Sequence, residues 1–438
     1  MLDFTVSNVK EKNMTALCKR RIATVKRLLK ETGKSSALIL SSAPVAIKSR
    51  DTTYKYRPDS NLFYLTGTEG KSISLIISST LKNPILFVPP IDSHTVTWEG
   101  NSPNYKKLAK SLGADLIQSK NCIHEIKNHL KGHETLFHQN APQADSWKVA
   151  FDLMSSSYST RANLPSEFVH CDKLLEELRL YKDSSEIQFI KYAATITNNA
   201  LFDTVPFISQ AGVESDIATT IDYLFKVQGS ESSFNTIVAC GPSAAVLHYE
   251  EQNKKIKSGE MLLIDCGAVY EMYAADISRT LPVSGHFTPI QNEIYSIVLE
   301  SQEAAIKLVK NGNQIQQVYN AAAKVITEGL VHLGILKGKT SKLMQTGAFK
   351  PYFMHSIGHT LGLDVHDLGN LRDRQNGELK SGMVITIEPG LYFQKKTKNI
   401  PICGVRIEDD VLVKTGKPEI LSEGFPKSIA EIEELMNA

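Results

Sequence analysis

The 438-residue sequence predicts two domains, an α/β domain over residues 1–165 and a domain of helices and β-hairpins over residues 173–438. Three observations lead there. Short helical and strand patterns alternate up to about residue 165, as in a layered α/β unit. A helical run beginning LLEELRLYKD then opens a second region. Within that region Met261–Thr280 and Val384–Asp410 each read as an antiparallel ribbon carrying carboxylates at strand positions.

Taken in order, residues 13–32 have helical periodicity through Leu17, Ile22, Val25, Leu28 and Leu29, and Ala37–Leu40 is a strand. YKYRPDSNLFYLTG, residues 54–67, is dense in aromatics and reads as a packed strand and turn, with a ligand surface as the alternative. Strands at 72–78, 84–88 and 135–137 alternate with helices at 106–112, 123–130 and 144–154. The join falls at 163–172. Lys182–Glu186 marks a helix break and restart, with an N-cap Asp or Ser and Glu186 in the first turn. A further helix reaches Val227, a strand occupies 234–239, and Val246–Tyr249 leads toward the carboxylate ribbons. Between those ribbons lie two long helices, 289–308 and 315–333, and the histidine-rich stretch MHSIGHTLGLDVHD, 354–367.

Composition excludes several classes of function. With 49 basic and 47 acidic residues the net charge is +2, too small to recruit nucleic acid or an anionic membrane. No run approaches the ~20 apolar residues of a membrane span, and the first residues, MLDFTVSNVKEKNM, contain no apolar signal core. Six cysteines are scattered without CxxC pairs, the pattern of reduced thiols. A soluble cytoplasmic protein is expected.

The chemistry is concentrated in the ribbons. Asp265 and Asp276 are eleven residues apart, and a turn centred between Tyr270 and Glu271 sets them directly opposite each other. Glu388 and Glu408 face each other across a loop near Gln394–Pro401 in the same way. Like charges at cross-strand distance destabilise a ribbon unless something neutralises them, and buried charges must be compensated. A pair of divalent ions does so, with Asp265, Asp276, His359, Glu388 and Glu408 as ligands. Four carboxylates and an imidazole suit manganese above all, with cobalt, iron or zinc as alternatives. Two ions ~3.5–4 Å apart share bridging groups and a hydroxide that serves as nucleophile at neutral pH. His355 and His359 have helical spacing, but Gly358, Gly362 and the absence of Glu beside His355 argue for an extended segment. His359 then faces the metals, and His355 and His366 face substrate or the groups that support the metal ligands. His94, His138, His286 and His332 lie outside this cluster and are discounted.

LHYEEQNKKIKSGEMLLIDCGAVYEMYAADISRTLPVSG, MHSIGHTLGLDVHDLG, SGMVITIEPGLYF and GVRIEDDVLV resemble the successive motifs of the pita-bread metallopeptidases, aminopeptidase P (Xaa-Pro aminopeptidase) most closely. YKYRPDSNLFYLTG and TWEG resemble that family's N-terminal domain. The resemblance implies an α/β N-terminal domain before an α+β pita-bread (duplicated αββ) catalytic domain. It also implies two divalent ions, usually manganese, and release of the N-terminal residue from peptides with proline second. By its motifs Asp265 holds one ion, Asp276 and Glu408 bridge both, and His359 and Glu388 complete the shells. Glu388 assists proton transfer, His248, His355 and His366 contact substrate, and Arg406 orients carboxylates. A homodimer or homotetramer is implied as well. Cys266 and Ala275 replace residues that are commonly alanine and glycine, and the 394–401 loop is short. Two rivals follow: a prolidase, which requires dipeptides, and a catalytically inactive pita-bread module that binds peptides or proteins.

Overall fold

The computed structural model describes residues 4–91, 93–100, 103–157, 163–369, 371, 377–397 and 399–438, with the side chains of 4–13, 94 and 99 excepted. The His94 side chain and residue 398 of the 394–401 loop therefore lie outside the described residues. The chain divides into two compact units, residues 1–178 and 179–438.

The first unit is built on a six-stranded mixed sheet. Its order is Asp115–Gln118, Ile85–Val88, Ser74–Ser78, Ser36–Ser41, Thr135–His138, Glu167–His170. Three of the inner strands, Ser36–Ser41, Ser74–Ser78 and Ile85–Val88, are buried along their whole length, as their apolar centres require. One segment departs from its expectation. Residues 54–67 are not strand and turn, because Ser60–Thr66 is a helix. The Asp59 side chain accepts from the Leu62 amide at its start, and Gly67 closes it at φ 64°. Those two caps outweigh the β-preference of the aromatics between them.

The second unit repeats one plan twice: two helices, then strands. Ser184–Ile208 and Glu214–Val227 precede the sheet formed by Ile237–Cys240, Met261–Cys266 and Ile277–Pro282. The restart at residue 184 is a capping box, in which Asp183 and Glu186 satisfy each other's backbone amides. Pro289–Ile306 and Ile315–His332 then precede Val384–Ile387, Gly390–Phe393, Cys403–Arg406 and Asp409–Leu412. One apolar core spans both halves, with a smaller cluster of Ile237, Ala239, Ala244, Tyr249 and Leu263 beside it. This is the α+β pita-bread arrangement. Among the described residues no helix is long and apolar enough to cross a membrane, and no disulfide is formed.

The first ribbon has a register different from the one expected. Asp265 pairs with Ser278, not with Asp276, and the ladder continues through Tyr270 and Tyr273. The turn is therefore Glu271–Met272, one position later, with both residues left-handed at φ 50° and 68°. That is the two-residue geometry favoured in hairpins, here without the glycine or asparagine that usually announces it. A two-residue shift keeps side chains on their face, so Asp265 and Asp276 remain on one side as diagonal neighbours.

The second ribbon keeps the expected register. Ile387 pairs with Asp409 and Gly390 with Arg406, so Glu388 and Glu408 occupy facing positions where the ladder opens. Pro389 has no amide hydrogen to close it. The Glu388 amide donates instead to Ile357 O (2.9 Å) and the Glu408 amide to Ser278 O (3.1 Å). The break in one ribbon thus ties it both to the histidine segment and to the first ribbon.

Candidate metal centre

Three pieces of chain converge at that break. The histidine segment lies along Val384–Ile387, pairing Thr360 with Ile385, while the Thr386 amide donates to His359 O (2.9 Å). It is extended, as Gly358 requires: a Cβ there would sit 1.8 Å from Thr386 O. His359 Nδ1 donates to Thr360 O (3.1 Å). Its Nε2 is directed at Asp276 Oδ2 (3.4 Å) and Glu388 Oε1 (3.7 Å). Burial, and next the neighbouring His366, push the His359 pKa down to about 4. The ring is neutral with a lone pair on Nε2, the form a metal requires.

The carboxylates are held unequally. Asp265 Oδ2 accepts from Arg406 Nη2 (2.6 Å), and Glu408 Oε2 accepts from Ser278 Oγ (2.9 Å). Ser278 Oγ in turn accepts from Arg406 Nε (2.8 Å). Asp265 Oδ1, Asp276 Oδ1 and Glu408 Oε1 are buried without a hydrogen-bond partner. Burial, with Glu408 and Asp265 next in importance, holds the Asp276 carboxyl well above the usual carboxylate range. Burial followed by Glu388 and Asp265 does the same to Glu408. Burial raises Glu388 to about 7 although Arg406 opposes it. Ligand atoms of Asp276, His359 and Glu408 all lie within 4.8 Å of one another. Orphaned oxygens and a neutral imidazole at that spacing fit divalent cations, which satisfy all of them at once.

Around this cluster the structure adds residues that the sequence reading passed over. Tyr392 Oη accepts from Arg406 Nη1 (3.2 Å) and lies 3.0 Å from His355 Nε2. His355 Nδ1 donates to Ser356 O (2.8 Å), so in the neutral ring Nε2 accepts from the tyrosine hydroxyl. The His355 Nδ1 edge also lies 3.8 Å from Glu388 Oε2. Arg406 therefore joins Asp265, Glu408 through Ser278, and His355 through Tyr392. Tyr392 was legible in principle: it stands four residues after Glu388 on the same strand face. His366, exposed, packs edge to face on His359 with centroids 4.3 Å apart.

His248 is placed differently. It is exposed on a turn after the 3-10 helix Gly241–Ala245, and its neighbour Tyr249 donates to the buried Glu214 (2.8 Å). Among the described residues no hydrogen bond or ring contact ties its imidazole to the other candidates. That helix nonetheless packs tightly on the second ribbon, since a Cβ on Gly404 would meet Ala244 O at 1.9 Å.

Residues 188–415 match the model of metallopeptidase family M24, and residues 19–137 match the aminopeptidase P N-terminal domain. The chain belongs to metallopeptidase family M24. An M24 relative, the Xaa-Pro aminopeptidase of Haemophilus influenzae, is 35% identical over 94% of this chain and 95% of its own. Among solved structures, a variant of Escherichia coli aminopeptidase P in complex with substrate superposes with a TM-score of 0.88 at 31% identity, covering 97% of this chain and 98% of that one. Zinc-substituted E. coli aminopeptidase P in complex with product gives 0.87 at 31%, covering 96% and 98%. The M24 chain described here is a metallo-aminopeptidase, a hydrolase that uses divalent metal.

Proposed function

We propose that this chain releases the N-terminal residue from peptides with proline in second position. It does so with two divalent ions, manganese ahead of cobalt, iron or zinc, held by Asp265, Asp276, His359, Glu388 and Glu408. The observation that carries this reading is the convergence of Asp276, His359 and Glu408 within 4.8 Å, with carboxylate oxygens left unpartnered.

Asp276 and Glu408, both crowded by other carboxylates, would be the ligands the two ions share, and Asp265, His359 and Glu388 would complete the set that holds them. When bound, such ions supply Lewis acidity and bring a water within reach of deprotonation at neutral pH. The protein's own groups do the rest. Glu388 lies between His359 and His355 and takes the proton released at the attacking oxygen, later delivering it to the leaving nitrogen. Tyr392 and Ser356 O fix the plane of His355, which lines the substrate side of Glu388, while His248 and His366 orient the scissile carbonyl and donate to the oxyanion. Arg406 holds Asp265 and, through Ser278, Glu408 at fixed angles.

Cysteines that are mostly buried and form no disulfide among the described residues support a reducing, cytoplasmic setting, and the family resemblance supports a homodimer or homotetramer. The test is substrate length. A Xaa-Pro-Xaa tripeptide is expected to be cleaved with kcat/KM at least about tenfold above that of the matching Xaa-Pro dipeptide, because nothing in the mechanism requires a grip on a carboxylate at the proline. Preference for the dipeptide would move the assignment to a prolidase. No hydrolysis of either by manganese-loaded protein would favour a binding module.

A further inference from the structure

The loop that carries His366 is held from below by charges that play no part in the proposed mechanism. Thr360 Oγ1 donates to Asp367 O (2.6 Å) and the Asp367 amide donates to Thr360 O (3.0 Å), closing residues 360–367 on themselves. Inside the closure, Asp367 is bound by Arg179 Nη2 and by Lys182 Nζ (3.2 Å), all three side chains at most 2% exposed. The same Arg179 nitrogen reaches Asp364 Oδ2 (2.7 Å), whose side chain is 37% exposed. Gly362 packs over the pair so closely that a Cβ would lie 2.1 Å from Asp367 Oδ2 and 3.0 Å from Lys182 Cε. Gly362 O meanwhile accepts from the Ala274 amide (2.8 Å), two residues from Asp276. The far end is anchored too, because the Lys182 amide donates to Gly382 O (2.8 Å) at the entry to Val384–Ile387.

Buried ion pairs contribute little net stability compared with apolar packing, and their best-attested use is to fix register. Here the register fixed is that of His366 against His359.

We propose that Arg179 and Lys182 are positioning residues for catalysis, acting through Asp364 and Asp367 on the His366 loop. The inference rests on the aminopeptidase reading and adds to it residues that touch neither metal nor peptide. A simple structural role would lower activity equally whether or not His366 is present, whereas a positioning role vanishes with the group it positions.

The experiment measures kcat and KM on a Xaa-Pro-Xaa tripeptide, bound manganese and melting temperature for Arg179→Met and Asp364→Asn. Each is made alone and combined with His366→Ala. Arg179→Met is expected to lower kcat about tenfold or more with metal content unchanged, and by less than about twofold when His366 is already alanine. Asp364→Asn, at the exposed end, leaves the buried pair intact and the melting temperature unchanged. It is expected to cost about threefold, again only in the presence of His366. It decides the matter if Arg179→Met does not fold. Equal losses in both backgrounds, or no loss in either variant, would overturn the proposal. A wild-type protein that binds manganese but spares Xaa-Pro peptides would refute the underlying reading, and the inference with it.

Discussion

Glu388→Ala is expected to lower kcat on a Xaa-Pro tripeptide by ~10³-fold or more while the protein remains folded, the scale on which a positioned general acid–base contributes. Geometry singles this residue out among the four carboxylates. Its two oxygens lie 3.7 Å from His359 Nε2 and 3.8 Å from His355 Nδ1, one toward the metal ligands and one toward the substrate side. Burial brings its pKa, before any ion binds, to about 7, where a group exchanges protons most readily at neutral pH. Folding survives because removing a carboxylate from a cluster of like charges relieves repulsion. The metal-free variant is expected to melt at or above the wild-type temperature. Steady-state kinetics and a thermal melt check both halves, and turnover within about tenfold of wild type would remove Glu388 from the proton path.

Arg406→Leu is expected to be the most damaging change to stability, by about 3–5 kcal/mol, the cost of leaving a buried partner charge uncompensated. Its side chain is 5% exposed, and its guanidinium contacts Asp265, Ser278 and Tyr392. Leucine fills much of the volume and satisfies none of those partners. The same loss frees Asp265, Glu408 and His355 to rotate, so manganese affinity should fall ~10–100-fold. Chemical denaturation of the metal-free proteins measures the first effect and calorimetric titration the second. A stability change under about 1 kcal/mol would mean that Asp265 finds another partner, and that Arg406 does not organise the site.

These two residues also show how much was legible in the sequence. The carboxylate pairs announced themselves because each follows an apolar run, and side-chain parity along a strand places them on one face without knowledge of the exact register. The register of the first ribbon departs from the expected one by two residues for a local reason. Its turn uses Glu271 and Met272 in left-handed conformations, which no residue-type signal predicts. The helix Ser60–Thr66 was hidden by its aromatics although Asp59 and Gly67 mark its ends. Contacts made across long stretches of chain were beyond reach. Nothing near Asp367 points to Arg179 and Lys182, which lie more than 180 residues away, and Ser278 acquires its role only once it is paired with Asp265. His248 was identified from family motifs alone, and its exposed position on a turn carries no geometric mark of its use.

The central claim is that acidic groups from two ribbons and one imidazole are assembled to share two cations. Elemental analysis of the purified chain, incubated with manganese and freed of excess metal by gel filtration, tests it most directly. Close to two ions per wild-type chain are expected, with a clear fall on Asp276→Asn, whereas fewer than one ion per wild-type chain would rule out a shared pair of cations.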